Sequence, residues 1–115
     1  MTEPISILNA EHYPWGDACE GWCLLKQTDL SVIQERVPAG KTEVMHYHMH
    51  ARQFFYILDG QAQMAFEDHI VQLQTGDGIE IPPLTKHRFE NISDREVTFL
   101  VISAPNTQGD RINLP

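Results

Sequence analysis

The sequence predicts an all-β fold, a barrel or sandwich of short strands in one domain. Three observations carry this. Runs of branched and aromatic residues recur at roughly 8–12-residue spacing, as in sandwiches and barrels. Gly, Pro and Asp-Gly punctuate the gaps between them. Between the runs there is no apolar repeat of helical period. With 115 residues and no linker or internal repeat, the chain is the size of one domain with a single core, residues 1–115.

Residues 1–20 read as an N-terminal arm, in which His12, Tyr13 and Trp15 form a cluster suited to packing on a neighbour. The barrel is expected over residues 21–103. Gly21 to Thr28 and Leu30 to Val37 read as strands, and in the second Val32, Gln34 and Arg36 alternate with Ile33, Glu35 and Val37. Pro38-Ala39-Gly40 is a turn. Gln53 to Leu58 is a strong strand, rich in aromatic and branched residues. Asp59-Gly60 suits a tight turn at positive φ and predicts a hairpin into Gln61 to Phe66. A second turn at Glu67-Asp68 leads into His69 to Leu73, and Gly76-Asp77-Gly78 precedes Ile79 to Ile81. His87 to Asn91 and Glu96 to Ser103 are expected to form the last hairpin, joined through Ile92-Ser93-Asp94. The tail from Ala104 to Pro115 is turn-rich and is expected on the surface or across a barrel end.

Composition removes several function classes. A formal charge of −8 leaves no basic stripe for nucleic acid. No apolar run is long enough for a membrane span. The first residues lack the basic start and apolar core of a signal peptide, so a cytoplasmic location is expected. Cys19 and Cys23 are then expected as free thiols rather than a disulfide.

Four residues have the character of metal ligands. His46 and His48 are two apart, so on a strand both imidazoles point to one face. Gln53 follows five residues later, an odd interval, so the chain must bend between Met49 and Arg52 to bring it to the same side. His87 arrives from a distant segment. Three imidazoles and an amide oxygen leave positions open on a six-coordinate ion, the pattern of a reactive or ligand-binding centre.

The intervals around these residues resemble the cupin superfamily. Gly40, His46, His48, Gln53 and Gly60 fall at the spacing of its first motif, G-x5-H-x-H-x(3,4)-E-x6-G, with Gln53 where the family has glutamate. Gly76, Pro82, His87 and Asn91 fall at the spacing of the second, G-x5-P-x-G-x2-H-x3-N, with Leu84 in place of its second glycine. The resemblance implies a double-stranded β-helix, or jelly-roll, barrel. It also implies one divalent transition metal on His46, His48 and His87, and a homodimer. Manganese, iron, nickel, zinc and cobalt all suit such donors. Gln53 either coordinates through its amide oxygen or holds a metal-bound water. As a neutral ligand it would leave a more Lewis-acidic ion, held less tightly than by a carboxylate.

Strand parity extends the reading. If Gln53 faces inward, so do Phe55 and Ile57, while Phe54, Tyr56 and Leu58 face outward and call for a cover: an N-terminal strand, the second sheet, or a second subunit. Phe89 and Asn91 share the parity of His87. Phe55, Ile57, Phe89 and Asn91 are therefore the expected pocket lining, with core packing the plainer role for Phe89 and a turn-tying role for Asn91. His50 falls in the bend and is a candidate proton-transfer group at the barrel mouth. In the tail, Arg111 beside Asp110 suits an anionic ligand if it lies near the mouth, and is a surface charge otherwise.

Two functions follow. The first is a metalloenzyme acting on a small oxygenated or carbohydrate-like substrate, by isomerase, lyase, cyclase or dioxygenase chemistry. The second is a module that binds a small molecule or sugar without turnover. No nucleophile elbow or phosphate loop competes with the metal site.

Overall fold

The computed structural model describes residues 3–115 and contains eleven strands and no helix among them. In chain order they are β1 (Glu11–Trp15), β2 (Cys19–Lys26), β3 (Ser31–Val37), β4 (His46–His48), β5 (Arg52–Asp59), β6 (Gln61–Phe66), β7 (Ile70–Gln74), β8 (Gly78–Ile81), β9 (His87–Glu90), β10 (Val97–Ala104) and β11 (Arg111–Asn113). They form two antiparallel sheets, one of six strands in the order β1-β2-β3-β10-β5-β8 and one of five in the order β11-β4-β9-β6-β7. This is the double-stranded β-helix that the motif spacing implies.

The core fills the space between the sheets. Phe55 and Phe99 from the six-stranded sheet stack on Phe89 from the five-stranded one, with Phe89 and Phe99 ring centroids 4.1 Å apart. Ile57, Val97 and Met64 are buried beside them. Each such side chain contributes about 1.5–3 kcal/mol by leaving water. Along β5 burial alternates strictly, with Gln53, Phe55 and Ile57 in and Phe54, Tyr56 and Leu58 out. Neither the N-terminal strand nor the second sheet covers the outer three, which remain 40, 38 and 37% exposed.

Connectivity departs from the expected hairpins in two places. Asp59-Gly60 does not join paired strands: β5 pairs with β10 and β8, whereas β6 pairs with β9 and β7. The turn carries the chain from one sheet to the other, and Gly60 is pinned there by the Thr75 hydroxyl. Likewise β9 and β10 lie in different sheets, so residues 87–103 are no hairpin. After β3 only β6 and β7 pair with a sequence neighbour. Turn chemistry reports a local reversal, but the partner of each strand is set by which face it must bury.

The N-terminal segment also differs from an arm. Residues 11–15 form β1, which pairs with β2 of the same chain from Glu11↔Cys23 to Trp15↔Cys19. Both cysteines are free. No helix of the described residues is long and apolar enough to cross a membrane.

Candidate metal centre

Strand register assembles the three histidines. His46 and His48 project from the same face of β4, and both are buried while Tyr47 between them is half-buried. On one side β4 pairs with β9, where His46 lies directly opposite His87. Cross-strand neighbours are the closest side-chain pairs a sheet offers, and these two ring centroids are 4.4 Å apart. One nitrogen from each of His46, His48 and His87 lies within 4.8 Å of the others. These three histidines could therefore hold one metal ion.

The hydrogen bonds prepare the rings for that role. His46 Nδ1 and His87 Nδ1 each sit 2.8 Å from a backbone carbonyl, those of Val44 and Thr85. Donation to those carbonyls fixes the tautomer and leaves Nε2 with a free lone pair, the usual arrangement behind a metal-ligating imidazole. His87 Nε2 is buried with no hydrogen-bond partner among the described residues. His48 Nδ1 faces Asp110 Oδ2 at 3.9 Å, and is buried with no hydrogen-bond partner among the described residues. Burial pushes His46 down to about 3, with the His87 ring adding to the shift. It pushes His48 down to about 4, against the opposing charge of Asp110, and lowers His87 as well. All three rings are neutral donors at physiological pH.

Gln53 comes from the opposite sheet. The chain leaves the five-stranded sheet at His48 and enters the six-stranded one at Arg52, the bend that the odd interval requires. Asp110 clamps this bend, accepting from the backbone N–H of His50 and Ala51, while its own carbonyl accepts from Met49. Burial alone would raise the Asp110 carboxyl, but those N–H groups hold it below its ordinary value. Gln53 Nε2 donates to Ser103 Oγ at 3.2 Å, and its Oε1 is buried with no partner among the described residues. An orphaned amide oxygen lining the same cavity as His46 and His48, from the facing wall, fits a fourth ligand.

Leu84 shows what the missing glycine costs. It adopts φ 68°, the left-handed conformation a glycine takes at no penalty, and is 60% exposed. Its N–H donates to the His48 carbonyl, so this turn braces β4 just ahead of His87.

The site opens on a cavity of about 240 Å³ between the sheets. Phe55 and Phe89 lie on its wall, as parity indicates. Ile57 lies in the core away from it. Asn91 is spent on its turn, donating to the carbonyls of Val37, Pro38 and Arg95. The His50 side chain is exposed in the bend, outside the cavity lining. Arg111 is on β11 opposite His48 and lines the cavity, 3.6 Å from Glu43 Oε2.

Sequence reasoning missed three polar residues on this wall: Tyr13, Glu35 and Glu43. Glu35 had a signal, an acid on the inward parity of β3 between Ile33 and Val37. Burial pushes its carboxyl up to about 8, helped by the charge of Glu43. Glu43 is pushed up to about 7 by burial, opposed by the Phe89 N–H and Arg111. Tyr13 lies in the strand row Tyr13↔Gly21↔Glu35. A Cβ at Gly21 would collide with the Tyr13 ring, so that glycine lets the ring lie across β2 toward Glu35. Burial, followed by the charge of Glu35, raises the Tyr13 phenol.

The family model for the cupin domain (Cupin_2) matches residues 33–103. The chain belongs to the cupin family. An uncharacterized protein of Methanocaldococcus jannaschii is 32% identical over 82 residues, 71% of this chain and 66% of that protein. Quercetin 2,3-dioxygenase of Bacillus subtilis is 35% identical over 66 residues, 56% of this chain and 20% of the enzyme. The matches thus span less than two thirds of each relative's own length. Among solved structures, the polyketide cyclase RemF of Streptomyces resistomycificus superposes with a TM-score of 0.85 at 16% identity, covering 100% of this chain and 87% of that one. At that identity the likeness is one of fold.

Proposed function

We propose that this cupin is a metal-dependent enzyme that moves a proton on a small oxygenated substrate, in the isomerase, lyase or cyclase class, with Glu35 as the acid–base group. One observation carries the reading. The Glu35 carboxyl has no hydrogen-bond or ion-pair partner among the described residues, yet it faces the cavity that His46, His48 and Gln53 also line. A half-buried acid left uncommitted on a cavity wall suits work on a ligand.

His46, His48, His87 and the amide oxygen of Gln53 would hold the ion. A divalent ion there supplies a Lewis acid that polarises a substrate carbonyl and acidifies the adjacent C–H. Gln53 cannot accept that proton, because an amide has no basic site near neutrality. Glu35, poised close to neutral pH, can take it and return it. Glu43 is committed to the Phe89 N–H and lies beside Arg111, so its role is to raise Glu35 and to position it electrostatically. The aromatic wall of Phe55, Phe89 and Phe99 keeps water from competing for the proton. The sequence likeness to a dioxygenase favours a second reading, oxygen chemistry on an iron-loaded site.

The test is hydrogen–deuterium exchange at the α-carbon of hydroxy-ketones, enediol-forming sugars and keto acids, followed by NMR on metal-loaded protein. Exchange that falls about 10²–10⁴-fold in Glu35→Gln with metal content unchanged supports the proposal. Fully loaded protein that exchanges none of these substrates sinks it, and leaves oxygen chemistry or a binding module. We also propose a homodimer through the uncovered face of Phe54, Tyr56 and Leu58. Sedimentation equilibrium should give twice the chain mass for the native protein and a lower mass for Tyr56→Lys. A native monomer excludes the dimer.

A further inference from the structure

A second, more open cavity of about 300 Å³ adjoins the metal-side one, lined by residues of β1, β2, β3 and the Asn106–Gln108 segment. Tyr13, Ile33 and Thr107 line both, so these three side chains form the partition between them. Ordinary small-molecule sites occupy roughly 300–1,000 Å³. Each cavity alone is at or below the bottom of that range, and a ligand of ordinary size would need both.

Behind the lining of the second cavity sits an unpaired hydroxyl. Ser31 is 3% exposed, lines this cavity, and its Oγ has no hydrogen-bond partner among the described residues. Leaving a buried hydroxyl unpaired costs about 1–3 kcal/mol. Ser31 pairs across the sheet with Ser103, and Ser103 with Gln53. A row of polar side chains thus runs from the metal side to the second cavity. The rest of the lining is mostly apolar, including Cys23, Leu25 and Ile33, while Glu11 and Lys26 supply opposite charges that leave no net preference for an ion.

We infer that the second cavity binds the distal part of the substrate, an uncharged and largely apolar chain or ring, while the oxygenated end occupies the metal-side cavity. The inference rests on the metal-dependent reading above. It makes the partition of Tyr13, Ile33 and Thr107 the selector for substrate length. Small substrates engage only the first cavity, and longer ones gain affinity by passing the partition.

Linear hydroxamates test it, because each carries the same bidentate oxygen head on a chain of chosen length. Metal-loaded protein is titrated calorimetrically with acetohydroxamate and its n-alkyl homologues up to octanohydroxamate. Affinity should rise about fourfold per methylene once the chain passes the partition. Cys23→Trp and Gln108→Trp, which fill the second cavity, should abolish that rise and leave acetohydroxamate affinity unchanged. Gln108 is exposed, so its variant serves if Cys23→Trp does not fold. Acetohydroxamate that binds with no chain-length gain, or with a gain that survives both variants, overturns this inference and leaves the metal reading standing. No binding of acetohydroxamate to metal-loaded protein overturns the metal reading, and this inference with it.

Discussion

The two walls of the metal-side cavity make opposite use of burial. The five-stranded sheet presents His46 and His48, with His87 buried beside them, imidazoles that burial holds neutral and whose Nδ1 atoms are committed to backbone carbonyls or face Asp110. The six-stranded sheet presents Glu35, whose carboxyl burial raises to about 8 and which nothing among the described residues engages. The same low-polarity setting thus makes lone-pair donors on one side and a proton carrier on the other. The candidate ligand positions are braced from behind, and the proposed proton-transfer position is left free.

The largest expected effect breaks the histidine wall. His46→Ala should cut metal content, read by plasma mass spectrometry, from about one ion per chain to none, with the far-UV circular dichroism unchanged because the aromatic core does not include the ring. A variant that loses its spectrum as well would make the metal structural. On the facing wall, Gln53→Glu should tighten a divalent ion about 10-fold or more, since a carboxylate replaces a neutral oxygen. Unchanged affinity in a chelator competition would place Gln53 outside the ligand set.

The walls also part in their response to pH in the metal-free protein. A depressed imidazole binds fewer protons folded than unfolded, so the stability from His46 is lost as pH falls from 6.5 toward about 3. A raised carboxyl binds more protons folded, so the stability from Glu35 is lost as pH rises from 4.5 through about 8. Glu35→Gln should accordingly stabilise the protein by roughly 1–3 kcal/mol at about pH 9 and leave it unchanged at about pH 4. Equal melting temperatures of variant and native protein at alkaline pH would remove Glu35 from the buried set. The smallest effect belongs to the turn behind β4. Leu84→Gly should stabilise by about 1 kcal/mol by relieving the positive φ, and a denaturant midpoint that falls would show that the leucine earns its place by packing.

Much of the candidate site's geometry was legible in the sequence because its information is local. The His46 and His48 parity, the odd step to Gln53 and the interval to His87 follow from side-chain alternation and motif spacing alone, as does the in–out pattern of β5. Leu84 was visible as the residue standing where a glycine belongs, and its φ of 68° follows. The hairpins at Asp59-Gly60 and at residues 92–94 were not legible, because a turn dipeptide specifies a reversal and not the strand that will pair across it. The acid–base wall was hidden for a related reason. Glu35 reads as one more alternating residue until β3 is placed across the cavity from β4, and Tyr13 reads as part of an arm until Gly21 lets its ring cross β2.

What the sequence determined by itself was the class of strands, the faces they bury and the donors available to a metal, all of which depend on neighbours within a few residues. Only the tertiary structure decided which sheet each strand joins, and so which side chains meet over the cavity. That choice is made by long-range burial, the pairing of two apolar sheet faces, and no short interval in a sequence encodes it.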